Sequence, residues 1–374
     1  MKVPEFDVAV VGAGPAGSMA AREAASGGAS TVILEKSPIV GEPVRCGEFL
    51  PSLEEIRRIC NITPRLEEIF DLPREVFGAF IERAIAYAPS GKGYEVSFQG
   101  HSIWRDRLDQ YLAREAVKEG AALWTETPFL GVEGDAIVTS RGLVRAKVVI
   151  GADGPHSSVA KAWGFPSVEL LFPAISLSVE GSFDPVFEAF FGPLAPGGYA
   201  WIVPRKRDAN VGLGVRPDLR REPLGTALSR FLTSRGLRSE KRPVGGYIPM
   251  SGPIPVTVKN HVLLVGDAAG QVLSTSGGGI FTSMICGYFA GKAASRHVLR
   301  KGPLKDYEKW WRRCMGGALE RGKRLFQFMA SAFEDPQALE EMFRLLGPEG
   351  LAATLRCQDL AIGDLLSLER VSPR

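Results

Sequence analysis

The stretch Val8-Ala9-Val10-Val11-Gly12-Ala13-Gly14-Pro15-Ala16-Gly17, continued by Val32-Ile33-Leu34-Glu35, decides the fold of this chain. An apolar β-branched run, a glycine-rich turn, a helix of small residues and a second apolar run that ends in an acid predict one βαβ unit. In such a unit Gly12 permits the sharp turn, Gly14 lets the backbone approach a pyrophosphate, and Gly17 lets the helix pack closely on the strand. Glu35 follows Gly17 by eighteen residues and is placed to accept hydrogen bonds from a ribose. An ordinary glycine turn would lack the second strand and the acid, so we expect a dinucleotide site, which FAD and NAD would fit equally.

The composition excludes several classes of protein. The 374 residues are 45% apolar, and 45 basic against 42 acidic side chains leave a net charge of only +3, so we expect two folded domains and no nucleic acid partner. Five scattered cysteines without a C-x-x-C pair predict a reducing compartment, and four histidines without ligand spacing predict no metal site. The chain begins without a secretory leader and has no apolar run of roughly 18 residues, so we expect a cytoplasmic protein whose membrane contact, if any, is peripheral.

Two further apolar runs end in acidic turns like the first unit. Val148-Val149-Ile150-Gly151 leads into Ala152-Asp153-Gly154, and Val262-Leu263-Leu264-Val265 leads into Gly266-Asp267, with the glycine-rich helix start Gly277-Gly278-Gly279-Ile280 beyond it. An NAD site requires only the first unit. The Asp267 carboxylate can bind ribityl hydroxyls or cap a helix, and the N–H groups of the helix start would face the pyrimidine edge of a flavin. The three separated elements therefore favour FAD.

These motifs, in this order and spacing, resemble the FAD-dependent family that includes aromatic hydroxylases, squalene epoxidase-like enzymes, flavin halogenases and geranylgeranyl reductases. The motifs are the glycine turn with Glu35, Arg105-x-x-Leu108-Asp109-x-x-Leu112, Ala152-Asp153-Gly154 and Gly266-Asp267-Ala268-Ala269-Gly270. A closer resemblance to geranylgeranyl reductases, including the archaeal enzymes that saturate isoprenoid chains of membrane lipids, rests on Val44-Arg45-Cys46-Gly47-Glu48 and Tyr199-Ala200-Trp201-Ile202-Val203-Pro204-Arg205. The chain departs from that family at Val203, where Phe is usual, and at Ser274, where Pro is usual.

The glycine turn and the resemblance together imply a set of residues that hold FAD, several of them through the backbone alone. They are Gly12, Gly14, Ala16, Gly17, Glu35, Lys36, Cys46, Gly47, Phe49, Arg105, Phe129, Asp153, Asp267, Gly279 and Ile280. By the same resemblance Tyr199, Trp201 and Pro204 would bind the substrate, and Cys46 would lie beside the isoalloxazine with a catalytic role.

The expected fold class is α/β, with a Rossmann-type FAD-binding domain interrupted by a mostly antiparallel β substrate domain and followed by a C-terminal helical region. We assign 1–75, 100–163 and 258–300 to the FAD-binding domain, 76–99 and 164–257 to the substrate domain, and 301–374 to the helical region. Within this frame Leu53 to Ile69 and the segment from Arg105 predict helices, and Val76 to Phe98 predicts strands of the second domain.

Each candidate side chain also has an interpretation without function. Arg105 would face a pyrophosphate or simply lie exposed before its helix. Cys46 could be a small buried apolar residue, although the nearby Arg45 would favour a thiolate. Tyr199 and Trp201 are two apart and share one face of a strand, either in a core or in a pocket wall that the Pro204 stop helps to shape.

The resemblance implies an FAD-dependent reductase of lipid biosynthesis that saturates C=C bonds of geranylgeranyl chains. The hydride would come from reduced FAD and the proton from a donor near Cys46 or from water. A flavin monooxygenase or halogenase stays open, because Tyr199-Ala200-Trp201-Ile202-Val203-Pro204 also resembles the halogenases' Trp-x-Trp-x-Ile-Pro. A flavin electron-transfer module is the third interpretation and would require an exposed flavin edge without a deep apolar pocket.

Two partners stay open at this stage. With a single dinucleotide motif, NAD(P)H would bind transiently without a βαβ domain of its own, and ferredoxin stays open as the electron donor. The basic and aromatic segment from Lys305 to Phe328 suits a solvated helix face or a helix at an anionic membrane surface.

Overall fold

A computed structural model describes residues 3–60 and 66–360 of the chain. Its strands, in chain order, are β1 (Glu5–Val11), β2 (Thr31–Leu34), β3 (Phe49–Pro51), β4 (Phe77–Ile81), β5 (Arg83–Tyr87), β6 (Gly93–Val96), β7 (Gly100–Ile103), β8 (Ala122–Trp124), β9 (Phe129–Glu133), β10 (Ala136–Thr139), β11 (Gly142–Gly151), β12 (Leu171–Glu180), β13 (Val186–Phe190), β14 (Tyr199–Pro204), β15 (Asp208–Gly214), β16 (Val244–Pro249), β17 (Val258–Lys259) and β18 (Val262–Leu264). Its α-helices are α1 (Pro15–Ser26), α2 (Leu53–Ile59), α3 (Leu66–Ile69), α4 (Arg105–Lys118), α5 (Ser158–Ala162), α6 (Leu224–Ser234), α7 (Ile280–Val298), α8 (Asp306–Trp311), α9 (Gly317–Met329) and α10 (Pro336–Leu355).

The first sheet is built around β1 and has the order β17-β18-β11-β1-β2-β8, with β10 and β9 added beyond β11. Parallel pairing aligns Val8 with Val148 on one side and with Thr31 on the other. The strands of the predicted βαβ unit, β1 and β2, therefore lie side by side with β11 and β18, the strands of the two later apolar runs. Their carboxyl ends place the turns after β1, β11 and β18 at one edge of the sheet.

Helices α1 and α7 cover one face of this sheet and touch each other at unusually short range. A Cβ on Gly287 would lie 2.3 Å from the carbonyl oxygen of Ala16, and one on Gly291 would lie 2.2 Å from that of Ala20. No larger residue fits either position. The small residues of both helices thus permit a contact that brings the start of α7 beside the start of α1.

The second sheet has the order β16-β12-β15-β14-β13-β5-β6 and is antiparallel except where β13 pairs with β5. One face of this sheet packs on α6 through Ala227, Leu228 and Phe231. The opposite face carries Ala174, Trp201 and Val203. The predicted α/β class, with a parallel sheet interrupted by a mostly antiparallel one, is confirmed. The domain boundaries stay a prediction.

Three local predictions differ from the structure. The expected strands from Val76 to Phe98 divide, because β4 pairs with β7 in a small sheet of order β3-β7-β4 while β5 and β6 join the second sheet. The predicted strand from Val148 to Gly151 is only the second part of a longer strand, β11, which pairs with β10 at one end and with β1 and β18 at the other. The predicted helix from Leu53 to Ile69 is seen as α2 and α3, and residues 61–65 lie outside the described residues.

The chain beyond Lys301 is mainly helical up to Leu355, as predicted, and residues 361–374 lie outside the described part. Helix α10 is interrupted at Gly347, whose φ of +57° lies outside the helical region. Within the described ranges, none of the helices combines the length and the apolar character that crossing a bilayer would require.

Candidate active site

A cavity of about 750 Å³ lies between the two sheets. It extends from the glycine turn after β1, past the loop of Cys46, to the C-terminal helices. Fourteen of the fifteen predicted cofactor residues line it, all except Gly17, as do Tyr199 and Trp201. The fold therefore brings the predicted cofactor and substrate residues together from distant parts of the chain.

The glycine turn is shaped to receive a phosphate group. Gly12 has a φ of +99°, and a Cβ there would lie 2.4 Å from the carbonyl oxygen of Ala152. A Cβ on Gly17 would lie 2.0 Å from the carbonyl oxygen of Gly12, so Gly17 serves helix packing and does not line the cavity. Gly14 has no protein atom within 4 Å of its Cβ position. The space beside Gly14 and the N-terminus of α1 fits a dinucleotide pyrophosphate.

Glu35 and Asp153 both line the cavity, and hydrogen bonds fix both carboxylates. Glu35 accepts from the N–H groups of Ala13, at 2.7 Å, and Ser37, at 2.8 Å, and so braces the glycine turn. Asp153 accepts from the Ser157 hydroxyl at 2.6 Å and caps α5. Glu35 keeps free lone pairs for a ribose, whereas Asp153 is used mainly by its own loop.

Arg105 begins α4 at the cavity wall and is not an exposed side chain. Its Nε and Nη2 donate to Asp109 at 3.1 and 2.9 Å, and its guanidinium also contacts the Cys46 thiol. Burial raises the pKa of that thiol more than the Arg105 charge lowers it. Arg45 borders the same cavity, but its side chain is exposed and its Nε donates to the Gly245 carbonyl. The cation beside Cys46 is therefore Arg105 and not Arg45, and burial favours the protonated thiol.

Asp267 also lines the cavity and lies against the start of α7. Its Oδ1 is 3.3 Å from the Cβ position of Gly279, the residue that precedes α7. Burial raises the pKa of Asp267 to about 6, although Arg105 acts in the other direction. Gln271 holds the turn, because its Oε1 accepts from the Gly266 N–H at 2.8 Å and its Nε2 donates to the Tyr307 hydroxyl at 2.9 Å. The carboxylate is thus positioned by residues outside the Gly-Asp motif.

Tyr199 and Trp201 form one wall of the cavity, with ring centroids 5.9 Å apart. The Tyr199 hydroxyl donates to the Ser276 carbonyl at 2.5 Å, and burial raises the pKa of that hydroxyl to about 12. The Cβ position of Gly47 is 3.6 Å from the Trp201 indole, so the Cys46 loop lies directly on this wall. Pro204 does not line the cavity, in contrast to its predicted role, because the alternation of β14 turns it toward the other face of the sheet.

The apolar part of the cavity is mostly built by residues that sequence reasoning missed. They include Phe98, Phe187, Phe191, Met329, Phe333, Met342, Phe343, Leu346, Leu351 and Leu355. The spacing of Leu339, Met342, Phe343 and Leu346 is a signal for an apolar helix face, but it does not say what that face contacts.

Comparison with known proteins agrees with this geometry. Residues 176–246 match the geranylgeranyl reductase catalytic domain, and residues 7–43 match the FAD-dependent oxidoreductase family. A digeranylgeranylglycerophospholipid reductase of Methanocaldococcus jannaschii is 36% identical over 90% of this chain and 87% of its own. A geranylgeranyl bacteriochlorophyll reductase-like protein from Thermoplasma acidophilum has a TM-score of 0.82 at 25% identity, covering 99% of this chain and 97% of that one.

The halogenase interpretation has weaker support. A variant of a flavin-dependent brominase superposes with a TM-score of 0.70 over 98% of both chains but shares only 17% of residues, which is a likeness of fold alone. The expected cofactor, FAD, and the expected oxidoreductase class are confirmed by the family matches. With its relatives above 30% identity over nearly the whole length, the chain belongs to the geranylgeranyl reductase family of FAD-dependent oxidoreductases.

Proposed function

We propose that this chain reduces C=C bonds in the geranylgeranyl chains of isoprenoid lipids. The observation that carries the proposal is the continuity of the cavity, which joins the glycine turn and Asp267 to an apolar space enclosed by aromatic and aliphatic side chains. An electron-transfer module would require no such space. A long apolar chain fits it, and the relatives named as lipid reductases agree with that occupant.

FAD, when bound, supplies a hydride equivalent. The fifteen predicted residues are proposed to hold it, with Gly17 acting through packing, since the other members line the cavity. An isolated alkene is a poor electrophile, so it must be held close to the hydride source and away from water. Tyr199 and Trp201 provide the wall that orients it, and the phenylalanines beyond them exclude water.

We propose the Cys46 Sγ as the source of the second hydrogen, the proton. Its raised pKa keeps the thiol protonated near neutral pH. The hydride and this proton together saturate one double bond and leave a thiolate at Sγ. Arg105, in contact with the thiol, is placed to stabilise that negative charge.

The test is anaerobic turnover of the FAD-loaded protein after chemical reduction, with a geranylgeranyl glycerophospholipid in detergent. We expect the lipid to gain two hydrogens per double bond by mass spectrometry. Asp267→Ala and Glu35→Ala proteins should purify colourless and inactive, while Asp135→Ala, an exposed control, should match the wild type. A protein that carries reduced FAD and leaves the lipid unchanged would contradict the proposed substrate.

The electron donor is proposed to be NAD(P)H or ferredoxin acting from outside the described fold. Anaerobic bleaching of the flavin by NADPH, NADH or reduced ferredoxin, each added alone, would identify it. The physiological donor should reduce the flavin at least as fast as the enzyme reduces the lipid.

Peripheral membrane contact is proposed through the exposed cations Lys305, Lys309, Arg313 and Arg324. The other prominent side chains of this segment are structural, because Trp311 is fully buried and Arg312 donates to the Pro255 carbonyl. Sedimentation with anionic vesicles should fall with added salt and with charge reversal of these four residues. Equal binding to neutral vesicles would exclude this electrostatic contact.

A further inference from the structure

Asn210, on β15, lies behind the cavity wall and does not line the cavity itself. Its side chain is buried and makes three hydrogen bonds. Nδ2 donates to the Cys46 carbonyl at 3.0 Å and to Glu48 Oε2 at 2.8 Å, and Oδ1 accepts from the Trp201 indole N–H at 2.8 Å. One amide therefore connects the loop that carries Cys46 with the aromatic wall.

Glu48 completes this connection. It is buried in the left-handed region with a φ of +61°, a conformation that a non-glycine residue keeps only when its surroundings hold it. Its Oε1 accepts from the Arg105 backbone N–H at 3.1 Å, and its own N–H donates to the Cys46 Sγ at 3.2 Å. Arg205 pairs with Glu48 and is itself held by Asp208 at 2.8 Å. The anchored carboxylate gives Asn210 a fixed partner.

We infer that Asn210 is a positioning residue for the reaction: it fixes the position of the Cys46 thiol relative to the Trp201 indole. The inference rests on the proposed function, in which Cys46 and Trp201 meet the same substrate double bond. An asparagine suits this role because one amide supplies both the donor for Cys46 and Glu48 and the acceptor for Trp201. An aspartate would offer the acceptor but, when ionised, would face the Glu48 carboxylate with no proton to donate.

The variant Asn210→Asp tests this directly through pH. Buried against Glu48, the new carboxyl should have a raised pKa; protonated at low pH it can donate one hydrogen bond, and ionised at high pH it repels Glu48. Relative to the wild type at each pH, kcat should therefore be partly retained at low pH and lost, about tenfold or more, as pH rises through the pKa of the new carboxyl. KM should change less than kcat, since the apolar contacts with the lipid remain.

A second readout does not depend on the lipid. In the FAD-loaded Asn210→Leu protein, alkylation of Cys46 by iodoacetamide, located by peptide mass, should be about tenfold faster than in the wild type because the loop has lost its tether. The conservative Asn260→Asp change, at an exposed position, should alter neither the labelling rate nor the pH profile. If the lipid is not the substrate, the labelling result still stands, so the two proposals fail separately.

Two results would overturn the inference. One is an Asn210→Leu protein with wild-type kcat and wild-type Cys46 labelling. The other is an Asn210→Asp protein whose kcat loss is the same at every pH and follows its loss of thermal stability, as expected of a purely structural residue. If Asn210→Leu does not fold, the pH series on Asn210→Asp alone decides between these outcomes.

Discussion

Arg356 and Glu55 form a buried ion pair that joins the end of the C-terminal helices to α2. Arg356 Nε lies 2.6 Å from Glu55 Oε2 and Nη2 lies 2.8 Å from Oε1, and Nη2 also donates to the Ser97 carbonyl at 2.5 Å. The pair lies next to the apolar end of the cavity, because Leu355, the residue before Arg356, lines that cavity. The apolar part of the cavity is thus bounded by the end of α10, which this ion pair holds in place.

Removing one partner of this pair should be costly. Arg356→Ala leaves the buried Glu55 with only Arg58, which is more exposed and 3.2 Å away, and we expect the free energy of unfolding to fall by about 3 kcal/mol, measured by urea titration. The double variant Arg356→Met with Glu55→Leu should recover most of this loss, because neither charge then remains buried. Arg83→Ala, which breaks an exposed pair with Glu95, should cost less than about 1 kcal/mol. Equal losses for the buried and exposed pairs would contradict the prediction.

Two glycines of the same turn should respond differently to alanine. Gly12→Ala forces a methyl group against the Ala152 carbonyl at a positive φ, so the protein without FAD should lose about 2 kcal/mol or more of stability. Gly14→Ala meets no protein atom and should stay within about 1 kcal/mol of the wild type. Both variants should lose FAD, which is measured as the flavin fluorescence released when the protein is denatured. If Gly14→Ala keeps its FAD, the pyrophosphate does not bind beside Gly14.

Asp267 should make the protein without FAD less stable at neutral pH. Its pKa is raised from 3.8 to about 6 in the folded chain, so the ionised form is disfavoured there, and the group's contribution to stability falls as pH rises from about 4 to about 6. In the absence of FAD, Asp267→Asn should therefore be more stable than the wild type at pH 8, on the order of 1 to 2 kcal/mol after allowance for solvent screening. The difference should vanish below pH 4.

Urea titrations at pH 4 and pH 8 measure this effect, with Asp135→Asn as the exposed control. A stability difference that is the same at both values would show that ionisation of Asp267 is not its cause. The same substitution should weaken FAD binding, so stability and cofactor affinity are expected to change in opposite directions.

Tyr199 should contribute through both its ring and its hydroxyl. Tyr199→Ala removes part of the wall, and KM for the lipid should rise about tenfold or more. Tyr199→Phe keeps the ring but leaves the Ser276 carbonyl without its donor, so KM should change little while kcat falls about threefold to tenfold through a looser loop before α7. Tyr111→Phe, a partly exposed control whose hydroxyl donates to the Asp71 carbonyl, should behave as the wild type. A Phe variant with an unchanged kcat would confine the role of Tyr199 to its ring.

The sequence predicts well whatever depends on local pattern. The βαβ unit is found at the expected residues because apolar period, glycines and acid all lie within one short segment. The shared face of Tyr199 and Trp201 follows from strand alternation, and the same alternation places Pro204, three residues after Trp201, on the opposite face. The pairing of Arg105 with Asp109 was likewise available from their spacing of four on α4.

Contacts between distant segments could not be predicted in this way. Glu48 meets Arg205 and Asn210 only after β14 and β15 are folded over the Cys46 loop, and no local rule selects that acid for burial. The apolar face of α10 was visible as a pattern, but its position over the cavity depends on the ion pair of Arg356 and on the break at Gly347. The state of the Cys46 thiol also depends on burial, which one sequence does not display.

The close contact of α1 with α7 has a consequence for synthesis of the protein. Ala16 and Ala20 find their partners Gly287 and Gly291 only when most of the chain has left the ribosome. At roughly 5 to 20 residues per second, α1 waits tens of seconds with its small apolar face uncovered. Helix α1 has five alanines, one glycine and a single large apolar side chain, Met19, so it exposes little apolar surface during that delay, and we expect the residues that permit close packing in the finished protein also to limit aggregation of the unfinished one.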